Sequence, residues 1–302
     1  MKRKVVITPS SFGQVSSKPL EELKQYFDDI VINNTGKKIP SSDVVNFYDN
    51  TQYSIAGLED LSSNILSHLP NLRVISRVGI GLDNIDLKYT SDNNIKVLNT
   101  PDPPTDAVSE MTITAALSLS RNLINYNKDL HMEHWNKSVS NSLKNRNVFI
   151  IGFGRIGQKV GKYFSFFGSK VCYYDPYIES KNIDNIFKKI EFKEGLLQAD
   201  IISIHSSSKS ELLGDAEFKL MKDNVIILNS SRGYHINELA LFQNLKSKKV
   251  SSCWIDVFRE EPYKGDLITL DNAILTPHIS TYTKICREEM EMQAVQNLLN
   301  EI

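Results

Sequence analysis

Gly152-Phe153-Gly154-Arg155-Ile156-Gly157 restricts more than any other segment what this chain can become. It follows an apolar, β-branched run, Val148 to Ile151. It opens a stretch whose apolar residues, Ile156, Val160, Tyr163, Phe164 and Phe167, recur at helical spacing. Three glycines in that setting require a strand, a tight turn and a helix packed closely on the strand. Gly152 permits the turn, Gly154 lets backbone approach a ligand, and Gly157 lets helix and strand touch. The helix N-terminus, with Arg155 and Ile156, would face the phosphate charge. A second strand pattern, Lys170 to Tyr174, ends in Asp175, at the spacing of an acid that accepts hydrogen bonds from ribose hydroxyls. Gly152, Gly154, Arg155, Ile156, Gly157 and Asp175 are therefore a candidate dinucleotide cradle. A carboxylate there repels a 2′-phosphate, which favours NAD over NADP. The competing reading of Asp175 is a turn aspartate before Pro176.

Strand and helix patterns alternate on both sides of this motif. Apolar runs at Val5 to Thr8, Val74 to Ser76, Ile201 to Ile204 and Val225 to Leu228 are separated by helical patterns such as Leu239, Leu241, Phe242 and Leu245. That alternation predicts an α/β chain with parallel sheets, and it occurs twice. One series fills residues 1–98. The other starts at Asn147, after a helix expected over Thr105 to Asn127 and a polar connection from Asn136. A length of 302 residues with 41% hydrophobic content supplies two cores. Lysine plus arginine number 35 against 36 acidic residues, so no basic field argues for nucleic acid or an anionic membrane. No apolar run approaches the roughly 20 residues of a membrane-spanning helix. The run after Met1-Lys2-Arg3-Lys4 is too short for a signal-peptide core. Cys172, Cys253 and Cys286 are too few and scattered for a disulfide framework, so a cytoplasmic setting is expected.

Three polar segments directly follow apolar runs: Asn229-Ser230-Ser231-Arg232-Gly233, Asp256-Val257-Phe258-Arg259-Glu260-Glu261-Pro262 and Thr276-Pro277-His278-Ile279. In a parallel sheet such segments gather on the carboxyl edge, where ligands bind. Together they supply what oxidation of a 2-hydroxy acid requires. Arg232 offers a planar fork for substrate oxygens. His278 exchanges a proton near neutral pH, and Glu261 is the carboxylate that would orient it. His131 and His134 stand a helical turn apart without an evident third ligand, so no metal is expected. His205 is read as a surface or packing residue rather than a wall of the cleft.

These segments, with Arg77-Val78-Gly79-Ile80-Gly81-Leu82-Asp83-Asn84-Ile85-Asp86, resemble the D-isomer-specific 2-hydroxyacid dehydrogenases over nearly the whole chain. The resemblance implies two Rossmann-like domains with parallel sheets: a discontinuous substrate domain (1–98 and 281–302) and an NAD-binding domain (99–280). It implies catalysis by Arg232, Glu261 and His278. Asp256 would touch the nicotinamide carboxamide, and Ser230 and Ser231 would line the cofactor. Backbone N–H groups of Val78, Gly79 and Ile80 would hold the substrate carboxylate beside Arg232. A homodimer through the helix around 105–127 is also implied. A small 2-hydroxy or 2-keto acid is the expected substrate. The alternative is an NAD(H)-responsive binding protein like the family's corepressors. Two departures stand out: the segment His205 to Leu213 is short and lacks a proline, and Trp254 is bulky where the family has a small residue.

Overall fold

The computed structural model describes residues 3–179, 181 and 183–302. Met1 and Lys2 of the basic start lie outside them. The chain divides into two compact units, Met1–Pro104 with Tyr282–Ile302, and Thr105–Thr281.

In the first unit five parallel strands, β1 (Lys4–Ile7), β2 (Asp29–Ile32), β3 (Tyr53–Ala56), β4 (Val74–Arg77) and β5 (Lys96–Leu98), lie in the order β2-β1-β3-β4-β5. Val6, Ala56 and Ile75 pack with Val44, Tyr48, Leu61, Leu66 and Ile95 in one core cluster. The final helix, Lys284–Leu299, belongs to this unit: Cys286, Met290, Ala294, Val295 and Leu298 are buried, and the Ser76 hydroxyl donates to the Ala294 carbonyl at 2.7 Å. The unit runs past residue 98 because Thr100 is woven into it: its N–H donates to Gly79 O and its hydroxyl accepts from Gly79 N.

The second unit holds seven parallel strands, β6 (Asn147–Ile151), β7 (Lys170–Tyr174), β8 (Lys188–Lys189), β9 (Ile201–Ile204), β10 (Val225–Asn229), β11 (Val250–Ile255) and β12 (Ala273–Leu275). Their order is β12-β11-β10-β9-β6-β7-β8, with all neighbours parallel. The order reverses between β6 and β9, which makes the edge beyond β6 a topological switch point. Alternate residues serve opposite faces. Phe149, Ile151, Ile202, Ile204, Ile227 and Cys253 enter one core, while Val148, Ile150, Ile201, Ile226, Leu228 and Trp254 enter the other. A sheet covered on both faces explains why these strands read as unbroken apolar runs.

The helix expected from Thr105 to Asn127 is two helices, Pro104–Ser120 and Leu123–His131. Asn122 breaks it with a left-handed backbone, φ 51°, a conformation that asparagine tolerates better than most residues. Among the described residues no helix is long and apolar enough to cross a membrane.

Candidate active site

The glycine turn after β6 has the shape that its sequence demands. Gly152 has φ +87°, and a Cβ there would stand 2.6 Å from the His205 backbone. At Gly157 a Cβ would meet Gly152 O at 2.2 Å, so helix and turn are in contact. Gly154 is the opposite case: nothing lies within 4 Å of where its Cβ would be. It is the N-cap of the helix Arg155–Phe166, and with no side chain it offers the first turn no side-chain cap. That combination fits a pyrophosphate.

Asp175, at the end of β7, is buried. Its Oδ2 accepts from Phe153 N at 2.8 Å, and its Oδ1 accepts from Tyr177 N at 2.9 Å and Ile178 N at 3.2 Å. Both sequence readings therefore meet in one residue: the carboxylate builds the turn before Pro176 and also sits beside the glycine loop. With about four acceptor positions on a carboxylate, one is left for a ribose hydroxyl rather than one for each of two. The negative charge that disfavours a 2′-phosphate remains. Burial pushes the pKa of the His205 imidazole down to about 3, and its Nε2 lies 2.8 Å from the Ser203 hydroxyl.

Asn229 ends β10 and braces the loop that follows. Its Oδ1 accepts from Ser231 N at 3.0 Å, and its Nδ2 donates to Arg232 O at 2.9 Å. The Ser231 hydroxyl lies 2.9 Å from Nδ1 of the buried His235, whose Nε2 reaches Ser208 O at 2.8 Å. A carbonyl only accepts, so His235 carries its proton on Nε2, and Ser231 is committed to this brace. Ser230 differs: its hydroxyl is buried with no partner, an orphan that a ligand could satisfy. Arg232 is half-buried, and its Nη1 donates to Ser231 O at 2.7 Å. A Cβ on Gly233 would collide with the Phe258 backbone at 2.0 Å, so the Arg232 loop lies directly on the segment that carries Glu261.

Glu261 and His278 meet. His278 Nδ1 lies 2.9 Å from Glu261 Oε2, while Glu261 Oε1 accepts from Phe258 N at 3.0 Å. Burial pushes the Glu261 carboxyl up, but the His278 hydrogen bond and charge, with the Phe258 N–H, outweigh it and hold the carboxyl below its ordinary value. An ionised carboxylate can only accept, so Nδ1 carries the proton and Nε2 is left to exchange one with a substrate. No other group among the described residues engages that nitrogen.

Asp256 binds the segment around His278. It is fully buried at the end of β11, and its carboxylate accepts four hydrogen bonds: from the Thr276 hydroxyl (2.6 Å), Ile279 N (3.0 Å), Ser280 N (3.0 Å) and the Ser280 hydroxyl (2.6 Å). The roughly four acceptor positions of the carboxylate are all engaged by the loop that carries His278. Trp254 is also fully buried and donates from Nε1 to the Thr276 hydroxyl at 2.9 Å. Thr276, Ser280, Asn229 and His235 were not singled out in the sequence. Their only mark was a position beside residues that were.

In the first unit, two of the three expected substrate-binding amides are already used. Val78 N donates to Ala56 O at 2.9 Å and Gly79 N to the Thr100 hydroxyl at 2.7 Å. The fold spends both on fixing the loop, which corrects their assignment. Ile80 is exposed, and the N–H groups of Ile80 and Gly81 have no backbone acceptor among the described residues. Of the three expected amides, that of Ile80 remains, with that of Gly81 beside it in the same loop. Among the described residues no three His, Cys, Asp or Glu side chains gather to hold a metal ion.

Residues 113–280 match the family model for the D-isomer specific 2-hydroxyacid dehydrogenase, NAD binding domain. Over 298 residues the chain is 31% identical to the hydroxypyruvate reductase of Thermotoga maritima, with 93% of this chain and 92% of that protein covered. It is 32% identical over 255 residues to the glyoxylate reductase of Thermococcus litoralis, covering 80% and 77%. A solved structure of a putative D-isomer specific 2-hydroxyacid dehydrogenase from Polaromonas superposes with a TM-score of 0.88 at 25% identity, covering 100% and 97% of the two chains. The alternative of an NAD(H)-responsive binding protein finds no support in these likenesses.

Proposed function

The chain belongs to the D-isomer specific 2-hydroxyacid dehydrogenase family, and from that premise we propose that His278, Glu261 and Arg232 are its catalytic set. The protein is an NAD-dependent oxidoreductase that moves a hydride between NAD(H) and a small D-2-hydroxy or 2-keto acid. NAD, when bound, supplies the hydride acceptor. The observation that carries the assignment is the His278–Glu261 contact with Nε2 left open. In the oxidising direction Nε2 takes the hydroxyl proton, and the Glu261 carboxylate stabilises the imidazolium that results. In the reducing direction the imidazolium returns that proton to the new alkoxide oxygen. Arg232 holds substrate oxygens with its fork. The Ile80 and Gly81 amides suit a carboxylate better than Val78 and Gly79, whose N–H groups are spent. Gly152, Gly154, Arg155, Ile156, Gly157 and Asp175 would hold the dinucleotide, with the orphaned Ser230 hydroxyl as a further donor.

We assign the substrate to the glyoxylate and hydroxypyruvate class, following the names of the two relatives. The purified protein with NADH and a panel of 2-keto acids should oxidise NADH fastest with one of these. Turnover confined to bulky branched keto acids would refute the class, and none on any acid would refute catalysis.

A homodimer is proposed through the segment after the helix break. The helix Leu123–His131 buries none of its residues, and Leu123, Ile124, Leu130, Met132, Trp135 and Val139 are all exposed. So many exposed apolar side chains on one segment are what an association site would use. Leu130→Glu with Trp135→Glu should convert a dimer to a monomer in analytical ultracentrifugation; a wild-type monomer would rule the dimer out. The three buried cysteines, none of them in a disulfide, suit a reducing, cytoplasmic setting.

A further inference from the structure

The loop after β4 carries the amides of Ile80 and Gly81, and the chain grips the opposite ends of the same two peptides. Thr100 N donates to Gly79 O at 3.1 Å, and Asn99 Nδ2 donates to Ile80 O at 2.8 Å. Both peptides are trans, and in a planar trans peptide the N–H points opposite to the C=O. Gly79 O and the Ile80 N–H belong to one peptide, Ile80 O and the Gly81 N–H to the next. Turning both carbonyls toward Asn99 and Thr100 therefore turns both N–H groups away from them, to one side of the loop. Successive N–H groups facing one way form a concavity for an anion. The Thr100 hydroxyl adds a third hold by accepting from the buried Gly79 N at 2.7 Å. Gly79 has φ +124°, a conformation that glycine enters readily, so the chain can bend where the two amides begin.

We propose that Asn99 and Thr100 set the direction of the Ile80 and Gly81 N–H groups and so build the cradle that receives the substrate carboxylate. Both are positioning residues: each acts on one end of a peptide whose other end meets the substrate. Thr100 is fully buried and holds two backbone groups of Gly79 at once, so the peptide on neither side of Gly79 can rotate without breaking a hydrogen bond. Asn99 is anchored in turn by the last helix, where Asn297 Nδ2 donates to Asn99 O at 2.9 Å. The same helix holds the strand that leads into the loop, through the Ser76 hydroxyl on Ala294 O at 2.7 Å. Without these holds the two peptides are free to flip. A flipped peptide presents a carbonyl, which only accepts hydrogen bonds and repels a carboxylate.

The proposal rests on the reading that the Ile80 and Gly81 amides hold the substrate carboxylate, and the experiment separates the two. Wild-type protein with NADH is first given glyoxylate and methyl glyoxylate, which keeps the reacting carbonyl and lacks the carboxylate. No turnover of the acid, or an equal kcat/KM for acid and ester, defeats that reading and the proposal with it. Thr100→Val is then compared on both substrates, since valine keeps the shape of threonine and cannot accept from Gly79 N. The proposal requires KM for glyoxylate to rise about tenfold, the scale of one buried donor left unsatisfied. The change in kcat is far smaller, KM for the ester and NADH Kd by fluorescence are unchanged, and Thr100→Ser, which retains the hydroxyl, restores KM. Should the valine variant not fold, Asn99→Ala, which frees Ile80 O, carries the same comparison. A wild-type preference for the acid that survives in the folded variant overturns the positioning role and leaves the carboxylate reading standing. An equal loss on acid and ester also overturns it, because a general disturbance of the fold does not discriminate between them.

Discussion

Glu261 serves His278 through one oxygen and its own loop through the other, and these two tasks respond differently to substitution. In Glu261→Gln the amide has the same shape and can still accept from Phe258 N, but the charge that favours the imidazolium is gone. Turnover should drop about a hundredfold, the low end of what a placed acid–base group contributes, with NADH Kd unchanged by fluorescence titration. His278→Ala should cost more, up to about 10⁴-fold. If the glutamine variant kept its kcat intact, the carboxylate would have no part in the reaction. The same residue makes stability depend on pH. A carboxyl lowered in the folded state contributes stability above its ordinary value of 4.5 and loses it as pH falls through the lower folded value. Chemical denaturation from pH 7 down to about 3 should show this loss in the wild type and a smaller one in Glu261→Gln.

At the scale of elements, the glycine turn separates fold from ligand. Gly154 has an ordinary negative φ, −69°, and empty space where a Cβ would stand. Gly154→Ala should therefore melt with the wild type in circular dichroism while its NADH Kd rises, because the methyl group occupies ground that the pyrophosphate needs. Gly152→Ala should lower the melting temperature as well, since its φ and the His205 backbone both oppose a side chain. Equal melting temperatures for the two variants would show that the turn is not strained. Elements of this kind were legible in the sequence because each glycine answers a local steric need. The apolar strands were legible because both faces of the sheet are covered. β8 was not, since its residues are Lys188 and Lys189 and it pairs only at the edge beside β7. Nor was the break at Asn122, where a continuing apolar pattern hid one left-handed residue. Nothing local in Val78-Gly79 reveals that Ala56 and Thr100 use up its amides, and nothing in Asp256 reveals Ser280. Those are tertiary pairings, which spacing along the chain does not encode.

At the scale of the molecule, the first unit needs both ends of the chain, and charge as well as apolar packing joins them. Glu291, fully buried on the last helix, accepts from Arg287 Nη2 at 2.9 Å and from Gly13 N at 2.9 Å. Arg287 also donates to the Ser11 hydroxyl at 2.9 Å and lies over the Tyr282 ring. The loop after β1 and the last helix are thus held by one buried pair whose charges cannot be rehydrated in place. Removing one partner leaves the other uncompensated, so Glu291→Ala should destabilise the first unit by about 3–5 kcal/mol. Replacing both, as Arg287→Met with Glu291→Leu, should cost far less, because no charge is then stranded. Both tryptophans, Trp135 and Trp254, lie in the second unit, so tryptophan fluorescence follows that unit while circular dichroism follows both. In urea, Glu291→Ala should shift part of the circular dichroism transition to lower concentration and leave the fluorescence midpoint in place. If the two signals instead moved together by the same amount, the units would unfold as one cooperative body and the pair would stabilise the whole chain.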